Sequence, residues 1–91
     1  MSTQQKTHRL LIAYDLIEPN AREDDYADLY KTLKKMKAKR IQESVWALRT
    51  DLNATDAFTQ LQGHLHGKDR LLVTRIGDFL SRGGINKIKF I

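Results

Sequence analysis

The chain has 91 residues, of which 41% are hydrophobic and 30% charged, and it carries a formal net charge of +5 at pH 7. This length allows one domain with a modest core, and the composition argues against disorder. The absence of cysteine excludes disulfides, thiolate metal sites and a cysteine nucleophile. No apolar run is long enough to cross a bilayer, and the polar residues 1–7 contain no signal-peptide core, so we expect a cytoplasmic protein with no membrane partner. The basic charge favours a polyanionic partner, nucleic acid first.

The run from Arg9 to Leu16, R-L-L-I-A-Y-D-L, predicts the central strand of a sheet. A short apolar run that is followed by helical patterns is typical of a strand covered on at least one face. Asp15 ends this strand, where the sheet fixes its position and the following polar loop leaves it accessible. Two roles are open for Asp15. It is either a functional acid or a turn residue whose carboxylate accepts hydrogen bonds from the amides of the loop.

A loop and a helix follow this strand. Pro19 and Asn20 mark the loop, and we expect Arg22 to point toward the same end of the sheet as Asp15. The spacing predicts a helix from about Glu23 to Lys37, because apolar residues recur at helical intervals along one stripe. The members of that stripe are Tyr26, Leu29, Tyr30, Leu33 and Met36.

The second half of the chain predicts two strand segments, a second helix and a last main strand. Residues 39–50 have the composition of a strand, but their alternation slips at Glu43 and Ser44, which predicts a bulge or a tight bend. Residues 51–53, Asp-Leu-Asn, offer a helix cap, and the following apolar stripe extends to Leu65. Gly63 weakens this helix, and Gly67 is the expected stop. Residues 69–76 form the last main strand, and residues 85–91 form a short terminal strand.

This order of elements predicts an α+β fold, a ferredoxin-like βαββαβ sandwich with two helices on one face of an antiparallel sheet and a short extra C-terminal strand. Residues 9–80 are the domain, 1–8 an N-terminal tail, and 81–91 a C-terminal segment that is a candidate to pair with a partner subunit. The other face of the sheet is left uncovered, and we expect Trp46, Leu48 or Leu72 to form an apolar patch on it. A two-fold homodimer would bury this patch, with Trp46 and Leu48 in the interface.

Two blocks of the sequence, L-I-A-Y-D-L at 11–16 and R-I-Q-E-S-V-W at 40–46, resemble the CRISPR-associated Cas2 family and its stand-alone and VapD-like relatives. The family has a first strand that ends in Tyr-Asp and a second block of the type R-I/V-Q-x-S-V-F/W. The resemblance spans about residues 9–80. The chain departs from the pattern in the loop after Asp15, where relatives carry more arginines, and at Lys37–Lys39, where the family commonly has a glycine.

The resemblance implies a homodimeric, metal-dependent endonuclease that acts on the phosphodiesters of RNA or DNA. Asp15 matches the family's strand-end aspartate, which implies one Mg²⁺ ion shared by the two Asp15 carboxylates of a dimer, and Asp15 is accordingly the catalytic candidate. A hard cation held by carboxylates would both activate a water and stabilise charge on the phosphate. The predicted nucleic-acid-binding residues are Tyr14, Arg22, Arg40 and Ser44.

Two other functions fit the same sequence. One is a non-enzymatic scaffold that binds double-stranded DNA in a CRISPR adaptation complex, next to an integrase subunit, with Lys and Arg side chains contacting only the backbone. The other is a ferredoxin-like ligand- or protein-binding module in which Asp15 is structural. The sequence does not distinguish RNA from DNA, or single from double strands.

Overall fold

A computed structural model describes residues 7–17 and 26–77 of the chain. The elements are β1 (His8–Asp15), α1 (Ala27–Lys35), β2 (Lys39–Gln42), β3 (Val45–Thr50), α2 (Ala54–Gln62) and β4 (Arg70–Arg75). The strands form one antiparallel sheet in the order β2-β3-β1-β4, which confirms the predicted ferredoxin-like α+β fold. Arg22 and the predicted terminal strand lie outside the described residues. In those described, no helix has the length and apolarity that a membrane crossing requires.

The core lies between the helices and one face of the sheet. Alternate residues of a strand point to the same face, and β1 directs Leu10, Ile12 and Tyr14 into the core. In the ladder between β1 and β3, Leu10 is opposite Leu48 and Ile12 is opposite Trp46, so these two β3 residues face the helices as well. The helices complete the core with four buried side chains, Leu29, Leu33, Ala57 and Leu61.

The opposite side of the sheet, which we call the open face, carries the other set of alternating strand residues. They include Leu11, Ala13, Val45, Ala47, Leu72 and Thr74 and, toward the strand ends, Arg9, Asp15, Arg49 and Arg70, as the strand registers show. The expected placement of Trp46 and Leu48 on this face is wrong: the two side chains are 4% and 0% exposed in the core beneath the helices. Leu72 does lie on the open face, where it is 56% exposed.

The ends of the elements confirm the predicted bend and helix cap and correct one helix end. Glu43 and Ser44 form the turn between β2 and β3, next to a shift in the register of the ladder. The side chain of Asn53 caps α2, because its Oδ1 accepts a hydrogen bond of 2.8 Å from the Asp56 amide. α2 ends at Gln62, with Gly63 as its C-cap, and does not continue to Gly67, since glycine is a poor residue for a helix interior.

Lys37, which follows the C-cap residue Met36 of α1, has the left-handed conformation, with a φ of 65°. Its amide donates to the Lys34 carbonyl at 2.9 Å, and the Ala38 amide donates to the Leu33 carbonyl at 3.0 Å. This pair of hydrogen bonds closes a helix C-terminus around a left-handed residue, a position that favours glycine. The turn leads the chain directly into β2, and it lies where the resemblance led us to expect a glycine.

Replacement of Lys37 by glycine is therefore expected to stabilise the protein. Relief of the left-handed strain outweighs the extra entropy of an unfolded glycine, so Lys37→Gly should raise the free energy of unfolding by about 0.5–1 kcal/mol in urea denaturation. Lys35→Gly is the matched control: it lies inside the last turn of α1 and should lower the same quantity by about 1 kcal/mol. A loss of stability in both variants would contradict the assigned conformation of Lys37.

Candidate functional site at the end of strand β1

Asp15 is exposed at the C-terminal end of β1, between two clefts that both open to solvent. The first, the helix-side cleft, has a volume of about 310 Å³ and is lined by Tyr14, Asp15, Leu16, Ile17, Tyr30, Arg40, Glu43 and Ser44. The second, the open-face cleft, has a volume of about 340 Å³ and is lined by Ala13, Tyr14, Asp15, Ser44, Val45, Arg70, Leu71 and Leu72. Asp15 therefore stands on the ridge between the two, where an extended ligand could reach it from either side.

The fold brings the two sequence blocks together at this end of the sheet. The Tyr14 amide donates to the Ser44 carbonyl at 3.1 Å, which extends the pairing of β1 with β3 into the β2–β3 turn. The Trp46 indole Nε1 donates to the Tyr14 hydroxyl at 2.8 Å inside the core. These two contacts explain why Ser44 lies beside Asp15, although the two residues are 29 positions apart in the sequence.

Arg40 lies in the helix-side cleft and is held in place by aromatic and polar contacts. Its guanidinium carbon is 5.5 Å from the ring centroids of both Tyr30 and Trp46, within the range of a cation–π contact. Its Nε and one Nη donate to the Glu43 carbonyl, the Nε at 2.8 Å. Its remaining N–H groups have no acceptor within residues 7–17 and 26–77, and a phosphate in the cleft would match their forked geometry.

Tyr14 lies beneath these groups and is 5% exposed. Burial raises the pKa of its hydroxyl above the ordinary value, although the hydrogen bond from Trp46 acts in the opposite direction. The hydroxyl is therefore neutral at physiological pH, and the buried ring has no free face for a stacked base. Tyr14 supports the site through packing, while direct contact with nucleic acid, as for Ser44, stays a prediction.

Asp69, which the sequence did not single out, fixes the chain on either side of this site. Its Oδ1 accepts from the Ile17 amide at 2.8 Å, just after β1. Its Oδ2 accepts from the Tyr26 hydroxyl at 2.7 Å, at the start of α1, and from the His66 amide at 2.9 Å. One carboxylate thus joins the exit from β1, the entry to α1 and the turn before β4.

This arrangement bears on the two roles that the sequence left open for Asp15. An aspartate in a turn accepts from the amide two residues after it, which here is Ile17. That amide donates to Asp69 instead. Within residues 7–17 and 26–77, no hydrogen bond or ion pair occupies the Asp15 carboxylate. The same described ranges contain no cluster of three or more His, Cys, Asp or Glu side chains that could hold a metal ion.

Tyr30 was predicted only as a member of the apolar stripe of α1. The structure places it half-buried at the rim, where its ring stacks on Trp46 with centroids 6.4 Å apart and 26° between the planes. The sequence signal was the stripe itself, but nothing in it indicated that Arg40 would lie across the same rings.

The fold and the site define a class: small α+β proteins with a ferredoxin-like sheet and an exposed aspartate at the end of the first strand. Comparison with known families is more specific. The family model described as CRISPR associated protein Cas2 matches residues 8–79. This span covers most of the chain and includes Asp15, Arg40 and Ser44, and the chain therefore belongs to the CRISPR-associated Cas2 family.

Loss of the Asp69 carboxylate is expected to destabilise the fold. Asp69→Ala leaves the Ile17 amide, the Tyr26 hydroxyl and the His66 amide without this acceptor, and it should lower the free energy of unfolding by about 1–3 kcal/mol in chemical denaturation. The control is Asp51→Ala, an exposed acid after β3, for which a change within about 0.5 kcal/mol is expected. Equal effects of the two substitutions would show that the Asp69 contacts contribute nothing to stability.

Proposed function

We propose that this Cas2-family protein is a homodimeric, Mg²⁺-dependent endonuclease that hydrolyses phosphodiester bonds of RNA or DNA, with Asp15 as the metal ligand. The observation that carries the proposal is the state of Asp15: an exposed strand-end carboxylate that makes no hydrogen bond or ion pair with the described residues, in a cleft shared with the guanidinium of Arg40. The CRISPR-associated family is consistent with a nucleic-acid ligand.

The Asp15 carboxylate is a suitable ligand for magnesium, but one chain supplies only one such carboxylate. Carboxylate oxygens are the ligands that Mg²⁺ prefers, and the ion keeps several of its waters. Asp15 follows Leu11 and Ala13 in strand alternation and so belongs to the open-face side of the sheet. If two open faces pair about a two-fold axis that passes near this end, the two Asp15 carboxylates share one ion.

The residues of the chain then have distinct tasks in hydrolysis. When bound, magnesium would lower the pKa of a coordinated water and offset negative charge on the phosphate. Asp15 would hold that ion, and Arg40 would bind the non-bridging phosphate oxygens through the N–H groups that Glu43 leaves free. Water adds across the P–O bond, so that one product carries a phosphate monoester and the other a hydroxyl.

The dimer in this proposal uses the open face of the sheet. Its apolar residues include Leu72, an exposed leucine in the middle of β4. Val45 of β3 lines the same cleft, on the other side of Ala13 in the sheet. In a two-fold dimer both subunits use the same surface patch, so the open face of one subunit would pack against the open face of the other. Trp46 and Leu48, which belong to the core, have no part in it.

A DNA-binding scaffold is the second candidate, and Arg40 favours it. Its guanidinium is held by Tyr30, Trp46 and the Glu43 carbonyl before any ligand arrives, and backbone binding by such a group requires no metal. In that case an integrase subunit would do the chemistry, and Asp15 would not affect the affinity for duplex DNA.

Asp15→Asn distinguishes the two candidates. The amide keeps the shape but loses the charge that holds Mg²⁺, so cleavage of labelled RNA and DNA should fall at least about 100-fold while the oligomeric state is unchanged. Asp51→Asn, the same change at an exposed acid elsewhere, should cleave as the unmodified protein does. Equal cleavage by carefully purified Asp15→Asn protein would rule out the catalytic role, and tight, metal-independent duplex binding would then favour the scaffold.

Leu72→Glu tests the dimer. The substitution places two carboxylates in the apolar contact between subunits, and sedimentation velocity should show a monomer with an unchanged far-ultraviolet circular dichroism spectrum. Phe58→Glu is the control, since Phe58 is also exposed but lies on α2, away from the open face. A Leu72→Glu protein that remains dimeric would show that the subunits meet through another surface.

A further inference from the structure

Arg70 lies directly opposite Asp15 in the sheet. The two residues are partners in the antiparallel register of β1 and β4, at the end of the ladder. Directly opposed residues of neighbouring strands have their Cβ atoms about 4.5–5.5 Å apart and point to the same face. Both side chains are exposed, and both line the open-face cleft. The acid of the proposed site therefore has an arginine on its open-face side, in addition to Arg40 on its helix side.

Arg70 does not use this position to neutralise Asp15. No ion pair joins the two side chains, and Arg70 donates no hydrogen bond to any residue in 7–17 or 26–77. Arg40, in contrast, is fixed by a backbone carbonyl and two aromatic rings. Among the described residues, neither the Arg70 guanidinium nor the Asp15 carboxylate has a partner. This pair of side chains points to an anionic ligand that can bind both an arginine and a metal ion.

The two clefts give this ligand a path. The helix-side cleft holds Arg40, the open-face cleft holds Arg70, and Asp15 borders both of them. An anion that bound to one arginine alone could be a single phosphate. A chain of phosphates laid across the end of β1 would contact both arginines in turn, with Asp15 between them.

We propose that Arg70 is a phosphate-binding residue for the nucleic-acid backbone, which crosses the end of β1 from Arg40 to Arg70 and passes over Asp15. This inference rests on the proposed nucleic-acid function and adds a binding residue to it. Arg70 contacts the backbone and reads no sequence, because a guanidinium bound to phosphate distinguishes no base. It acts in binding, so its effect does not depend on magnesium.

The test measures affinity without cleavage. Labelled single-stranded RNA and labelled duplex DNA are titrated with the unmodified protein and with Arg70→Gln in EDTA, by fluorescence anisotropy, from about 50 to 200 mM NaCl. Loss of one phosphate contact should lower the slope of log affinity against log salt by about 0.7 for the single strand or 0.9 for the duplex. If the two proteins bind equally at 1 M salt, this difference in slope makes Arg70→Gln bind about 5- to 8-fold more weakly than the unmodified protein near 0.1 M salt.

Arg75→Gln is the matched control. Arg75 is an exposed arginine at the other end of the same strand, opposite Leu10, so its removal changes the net charge equally but leaves this site intact. Its salt slope should stay that of the unmodified protein, since charges beyond about 10 Å are screened at 0.1 M. Equal losses in Arg70→Gln and Arg75→Gln would overturn the inference, because the effect would then be one of total charge.

Two further outcomes separate this inference from the proposed function. If Arg70→Gln dissociates the dimer in sedimentation, Arg70 is an interface residue and the inference is wrong, whatever Asp15 does. If the unmodified protein binds neither nucleic acid, both the inference and the proposed function fall. A selective loss in Arg70→Gln supports the inference even if Asp15→Asn still cleaves, because the measurement contains no metal.

Discussion

The hydrogen bonds to the Asp69 carboxylate are the constraint on which the site depends. A chain that leaves a sheet must satisfy the amides of its first loop residues, and the nearest acid commonly does this. Here Asp69, the residue before β4, accepts the hydrogen bond from the Ile17 amide at 2.8 Å. Asp15 is therefore not needed as the acceptor for this amide. Asp15 is thereby left without a structural role among the described contacts. An exposed carboxylate that the fold does not need is one that a ligand can use.

The second sequence block acts first through packing and then through charge. Trp46 donates to Tyr14 inside the core, and its ring, stacked with that of Tyr30, gives Arg40 a flat surface. The Glu43 carbonyl then fixes the direction of the guanidinium. Because these contacts exist without a ligand, binding of a phosphate there would cost little side-chain entropy. A lysine at position 40 would keep the charge but lose both the stacking and the fork.

Local signals predicted most of the fold. The apolar run of β1, the helical stripe of α1, the cap within residues 51–53 and the bend at Glu43–Ser44 each depend on neighbours in the sequence, and each is confirmed. The end of α2 was placed too late because Gly63 was interpreted only as a weak point of the helix and Gly67 as its stop, whereas Gly63 is the C-cap. The strand faces were harder, since β3 is apolar on both sides: Trp46, Ala47 and Leu48 are all buried, so alternation alone could not tell which of them faces the helices.

The candidate site was predicted only in part, because some of its residues are brought together by long-range contacts. The resemblance led to Asp15, Arg40 and Ser44, which the structure brings to one end of the sheet, while Arg22 lies outside the described residues. Asp69 and Arg70 carry no local signal. The contact between Asp69 and Ile17 spans 52 positions. The pairing of Arg70 with Asp15 is fixed only by the register of two strands that two helices and a hairpin separate in the sequence. Contacts of that range follow from the fold and cannot be read from spacing.

Electrostatics ties the proposed metal site to the proposed dimer. Two Asp15 carboxylates brought together across an axis repel one another, and this opposes association of the open faces unless a cation lies between them. Magnesium that binds only the paired state must therefore stabilise the dimer, and the dimer must equally raise the affinity for magnesium, since linkage is reciprocal. The positive charges of Arg40 and Arg70 would reduce the same repulsion. Neither arginine forms an ion pair with Asp15, so the carboxylate stays available to the metal ion. A scaffold that used Asp15 only as surface charge would show no such linkage, so the coupling between metal and association separates the two functions independently of any cleavage.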